Sequence, residues 1–139
     1  MAAKIIDGNI ISAEIKQGVA EAVDSLRAGG PEVRVVAVQV GDDPAARLYA
    51  DMQARACESV GIFHQLQELP GDARERELLA KLEELNADDS VTGVILQLPL
   101  PSQIDARRMQ SAIVPEKDIE GVHPENLGRL FHGGGAIAP

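Results

Sequence analysis

The sequence predicts an α/β fold, a three-layer α/β/α domain with a small, mainly parallel sheet. Two strand-length runs, residues 33–40 (VRVVAVQV) and 91–98 (VTGVILQL), are almost continuously apolar, as suits strands covered on both faces. Between and around them lie segments whose apolar residues recur at helical spacing. Strands alternating with helices of this length join through right-handed crossovers, which makes the sheet parallel.

The elements follow in order. Ile11, Ile15, Val19, Val23 and Leu26 mark a first helix, which Gly29, Gly30 and Pro31 close. After the first apolar strand, Gly41-Asp42-Asp43-Pro44 is a strand-to-helix turn with Asp43 as N-cap and Pro44 as the first helical residue. That helix runs to about Val60, where Gly61 stops it. Residues 63–69 are more polar and suit an edge strand, and Asp72 is placed to cap a third helix with a Leu78, Leu79, Leu82, Leu85 stripe. The second apolar strand, 91–98, ends at Pro99-Leu100-Pro101, and short helices are expected over 106–113 and 124–131. Ligands of such sheets gather beyond the carboxyl ends of the strands, here 41–44, 69–71 and 97–101.

Composition narrows the function classes. The 139 residues make one domain with enough length for a core, and 45% hydrophobic with 25% charged residues is ordinary globular composition. Thirteen basic against twenty-two acidic residues give a formal charge of −9, which argues against a nucleic-acid partner. Two Phe, one Tyr and no Trp leave no aromatic row on which bases stack. The single cysteine, Cys57, excludes an internal disulfide. No segment reaches the length of a membrane span, since Arg34, Gln39, Gln97 and prolines interrupt the apolar runs, and residues 1–8 do not resemble a signal peptide. A cytoplasmic protein is expected.

Several residues stand out for chemistry. Tyr49 and Gln53, four apart, share a face of the second helix near the expected crevice; taken alone, Tyr49 reads as a partly buried core tyrosine. Gln97 closes a buried run, where an amide needs partners for both its ends, and it suits a structural hydrogen bond as well as one to a ligand. Lys117, Asp118 and Glu120 form a charged cluster, either a solvated loop or carboxylates for an amino-substituted heterocycle or a basic group. Gly133-Gly134-Gly135 has no strand before it and no helix after it, so a flexible tail is expected rather than a phosphate loop. His64, His123 and His132 lack metal-ligand spacing with Cys57, itself read as a buried structural thiol, and no metal is expected. No GxGxxG follows a strand, so no dinucleotide site is visible.

The segments AKIIDG, VGDDPAARLYADMQARACESVGI, GVILQLPLP and PEKDIEGVHPENLGRL occur in this order between about Lys4 and Leu130. Together they resemble the N-terminal catalytic domain of the bifunctional methylenetetrahydrofolate dehydrogenase/methenyltetrahydrofolate cyclohydrolase family. The resemblance implies that fold type, a role in one-carbon metabolism, and a cleft shared with a C-terminal NADP-binding Rossmann domain. Folate lies in the cleft as substrate, its methylene carbon passes hydride to the nicotinamide, and water then adds to the methenyl cation. A homodimer is also implied, with no nucleic acid and no membrane.

By the same resemblance, Tyr49 matches the tyrosine that stacks on the aminobenzoyl part of folate. Gln97 matches the glutamine beside the catalytic lysine, Pro99, Leu100 and Pro101 match the pocket loop, and Glu120 stands at the acidic position that holds the pterin. Three positions depart from the family pattern. Gln53 occupies the lysine's place in Tyr-x-x-x-Lys, Glu120 replaces the usual Asp, and Ala46 stands where a serine is common. A glutamine amide does not titrate near neutrality, so Gln53 is not a general base, and hydrolysis is expected to suffer. The chain closes at Ile137-Ala138-Pro139, where family members enter the cofactor domain, so residues 1–139 are expected to be the folate-binding domain with the NADP-binding domain absent. The alternative is a non-catalytic folate-binding or interaction module that keeps the fold.

Overall fold

The computed structural model describes residues 6–135. Lys4 and Ile5 of the AKIIDG segment, and residues 137–139 at the chain end, lie outside the described residues. The order is α1 (Gly8–Arg27), β1 (Arg34–Val40), α2 (Pro44–Ser59), β2 (Phe63–Leu69), α3 (Glu75–Ala87), β3 (Gly93–Leu96), α4 (Ala106–Gln110) and α5 (Pro124–Phe131). The strands form one sheet in the order β2-β1-β3, and both pairings are parallel. The more polar β2 is an edge strand and β1 lies at the centre, its residues 35–40 all buried.

Alternation along β1 divides the core. Val36, Val38 and Val40 pack with Leu78, Leu82 and Leu85 of α3, Met109 of α4, and Ile113. Val35 and Ala37 point the other way and join Ile95, Ile62, Leu66 and Ile119. Gln97 continues β3 on this second face and meets α2 through Gln53. Gly93 permits a close approach here, since a Cβ at that position would lie 2.5 Å from Cγ2 of Ile119. Residues 117–120 can therefore run beside β3, with Val94 bridged to Asp118.

Several boundaries differ from expectation, each for a local reason. The third helix begins at Glu75, and its cap is not Asp72: the Glu77 carboxylate accepts the Arg74 N–H at 2.6 Å, closing the first turn from within. The second apolar strand covers Gly93–Leu96 rather than 91–98, because pairing with β1 spans only Val35 to Val38. Beyond it Leu98 is exposed, and Pro99 has no N–H for a ladder. The helix expected over 106–113 ends at Gln110; Ile113 lies in the core outside it, and Pro115 disfavours helical backbone just before it.

The apolar stripe of α1 behaves differently from the other stripes. Of its five residues only Val23 is buried, while Ile11, Ile15, Val19 and Leu26 are exposed among the described residues. A 20-residue helix is about 30 Å long. A seven-residue strand reaches about 23 Å. The helix is tied near its end to the turn between α2 and β2, where Arg27 donates to the Gly61 carbonyl at 2.6 Å.

Candidate functional site

The carboxyl ends of β1 and β3 build the site. At the end of β1, Gly41 takes a left-handed φ of 85°, which favours glycine, and turns the chain into α2. Asp43 caps that helix, its Oδ1 accepting from the backbone N–H of Ala45 and Ala46, both at 2.9 Å. With the first turn fixed, Ala46 and Ala50 face inward, and Gln53 follows one turn after Tyr49.

Gln97 is 4% exposed, and its backbone N–H donates to Val38 O, continuing the ladder. Its side-chain Nε2 donates to Oε1 of Gln53 at 2.5 Å. The pairing brings together two of the residues singled out from the sequence, 44 positions apart. It is a neutral junction that leaves the Gln97 carbonyl oxygen and the Gln53 amide N–H2 as further hydrogen-bonding groups.

The charged cluster separates into three roles. Lys117 is not a solvated loop residue: its Nζ donates to the carbonyls of Leu85, Asn86 and Asp88 at 2.8–2.9 Å, capping the C-terminal end of α3. Asp118 is 1% exposed and accepts from the N–H groups of Val122 and His123 and from Asn126 Nδ2, which fixes the entry to α5. Neither is free for a heterocycle. Glu120 is half-buried; burial and the neighbouring Asp118 charge push its carboxyl up, while the Leu96 backbone N–H draws it partly back.

Pro99, Leu100 and Pro101 line an open groove of about 420 Å³ with residues 40–44 and Gly71. Neither Tyr49 nor Glu120 belongs to that lining. Tyr49 is 54% exposed, so its expected place as a partly buried core tyrosine is corrected. Small inward alanines beside it carry the α2 contact and leave the ring at the surface.

Other signals resolve as structure. Gly133, with φ of 72°, and Gly134 donate to Leu130 O and Arg129 O, which makes the glycine run the C-terminal stop of α5 rather than a free tail. His123 Nδ1 accepts the Glu125 N–H at the start of α5, burial lowers His64, and burial raises the Cys57 thiol, leaving it a poor nucleophile. No group of metal-binding side chains and no helix long and apolar enough to cross a membrane occurs among the described residues.

One buried polar residue escaped the sequence reading. Gln39 is 2% exposed; its Nε2 donates to Gly41 O at 3.1 Å, and its Oε1 is buried without a partner. By strand alternation it shares a sheet face with Gln97 and lies beside it in register. The available signal was the one that marked Gln97, an amide at the carboxyl end of an apolar strand.

Residues 6–120 match the family model described as the tetrahydrofolate dehydrogenase/cyclohydrolase catalytic domain. The bifunctional protein FolD of Geotalea uraniireducens is 44% identical over 131 residues, covering 94% of this chain and 47% of that protein. The crystal structure of the bifunctional FolD enzyme of Campylobacter jejuni superposes with a TM-score of 0.92 at 38% identity, covering 96% of this chain and 47% of its own. A 5,10-methylenetetrahydrofolate dehydrogenase from the silkworm Bombyx mori superposes at 0.94 with 37% identity, over 99% and 48% of the two chains. The chain spans about half the length of the curated relatives it matches. In sequence and in fold, it belongs to the tetrahydrofolate dehydrogenase/cyclohydrolase family and carries that family's catalytic domain.

Proposed function

We propose that this chain is the folate-binding half of a methylenetetrahydrofolate dehydrogenase/cyclohydrolase in one-carbon metabolism, with its hydrolytic step weakened. The hydrogen-bonded Gln53–Gln97 pair at the carboxyl ends of the strands carries the proposal. Exposed Tyr49 offers its ring to the aminobenzoyl group, one turn from that pair. Glu120 holds the amino-substituted pterin edge, and Pro99, Leu100 and Pro101 wall the pocket. Gln97 and Gln53 position the one-carbon bridge, but neither takes up or releases a proton near neutrality.

NADP does not fit the described residues. The strand-to-helix turn where a pyrophosphate would sit carries Asp42 and Asp43, and Asp43 already occupies the first N–H groups of α2. The dinucleotide therefore belongs to another domain, joined to this one as the two are joined in a homodimer-forming family enzyme. Calorimetric titration of this chain with tetrahydrofolate tests the folate site. Binding is expected, with Tyr49→Ala weaker by about tenfold. Failure of the unmodified chain to bind overturns the proposal.

A further inference from the structure

Both ends of the short loop that carries Glu120 are tied to one side chain. Asp118 Oδ1 accepts the Val122 N–H at 3.2 Å, and its Oδ2 accepts the His123 N–H at 2.8 Å. These bonds close a ring around Ile119, Glu120 and Gly121, and Gly121 turns the chain within it at a left-handed φ of 66°. Ile119 is pinned against Gly93, where a Cβ would lie 2.5 Å from its Cγ2. Glu120 therefore stands between two fixed neighbours.

The ring is set against the outer edge of β3. Val94 donates its N–H to Lys117 O at 2.8 Å, and the Leu96 N–H reaches the Glu120 carboxylate. Asn126 on α5 holds the ring from the other side. Its Nδ2 donates to Asp118 Oδ2 and to Pro115 O, both at 2.9 Å. Asn126 and Asp118 are 2% and 1% exposed, so neither is open to a ligand. Asn126 also leaves its Oδ1 buried without a partner among the described residues. A leucine fills a similar volume without that cost, so packing alone does not account for an asparagine here.

Resting on the reading of Glu120 as the pterin contact, we propose that Asn126, acting through Asp118, is a positioning residue that fixes the Glu120 carboxylate for the amino-substituted edge of the pterin. Asn126 touches no substrate. Its effect on binding passes through the ring of residues 118–123.

Calorimetric titration of the chain with tetrahydrofolate, across a double-mutant cycle of Asn126→Ala and Glu120→Ala, tests this. Each single variant is expected to weaken binding by about tenfold. In the doubly substituted chain the loss is expected to stay near that of Glu120→Ala alone, because Asn126 then has nothing left to position. Additive losses, about a hundredfold together, mean that Asn126 supports the fold at large and overturn the positioning role. Parent-like binding by Asn126→Ala, with Glu120→Ala weakened, overturns it too. Asn126→Leu, which keeps the volume and removes the unpaired oxygen, replaces Asn126→Ala in the cycle where the alanine variant does not fold. Parent-like binding by Glu120→Ala overturns the pterin contact itself, and no binding by the parent chain overturns the folate reading.

Discussion

Gln53 is half-buried on its helix, with its Oε1 held by Gln97. A lysine there, partly desolvated, has its pKa drawn toward neutrality and can exchange a proton with an attacking water. Gln53→Lys is therefore expected to raise methenyl hydrolysis by about 100-fold or more in a protein containing the cofactor domain. An unchanged rate, read as loss of methenyl absorbance, shows that another group limits the step. Glu120 gives a pH dependence. Its carboxyl is raised above the ordinary 4.5, so the folded state favours its protonated form. That contribution to stability is whole below the ordinary value and is lost as pH rises through the raised one. Glu120→Gln, which keeps an acceptor for Leu96, is expected to melt higher than the parent at neutral pH and no higher below 4.5. Melting curves across that range check both ends.

At the scale of elements, α3 depends on a residue 29 or more positions beyond its last turn. Lys117 satisfies three carbonyls that the end of a helix otherwise leaves to water, and its charge lies at the negative end of the helix dipole. Lys117→Met keeps most of the side-chain stem and removes these bonds. It is expected to cost about 1–3 kcal/mol, and hydrogen exchange should accelerate first in the last turn of α3. Uniform acceleration over the domain would instead mean that the lysine holds the core as a whole. The same segment places Glu120, so the loop that positions the candidate pterin contact is anchored by a helix cap.

At the scale of the molecule, three parallel strands give one ligand-facing end, and acidic groups line the groove there. With Asp42 and Asp43 at the β1–α2 turn, a dinucleotide phosphate meets like charge and no free helix N–H. NADP is expected to leave the melting temperature of this chain unchanged at concentrations where tetrahydrofolate raises it. A shift with NADP alone would place a nucleotide site on the chain itself. Among the described residues α1 presents Ile11, Ile15 and Leu26 to solvent although their spacing suits burial.

The sequence by itself determined the alternation of elements, the parallel sheet and the α2 cap, because these depend on periodicity and on turn residues a few positions apart. Asp43, Pro44, Gly61 and the edge character of 63–69 follow from local chemistry alone. Family resemblance located Tyr49, Gln53, Gln97 and Glu120 along the chain, but not their surroundings. Tertiary structure decided that Lys117 and Asp118 are structural, that Gln97 gives its nitrogen to Gln53, and that Gln39 keeps a buried oxygen unpaired. Hydrogen-bond satisfaction depends on which groups meet in the fold: the Lys117 and Gln97 partners lie 29 to 44 residues away and leave no periodic trace in a sequence.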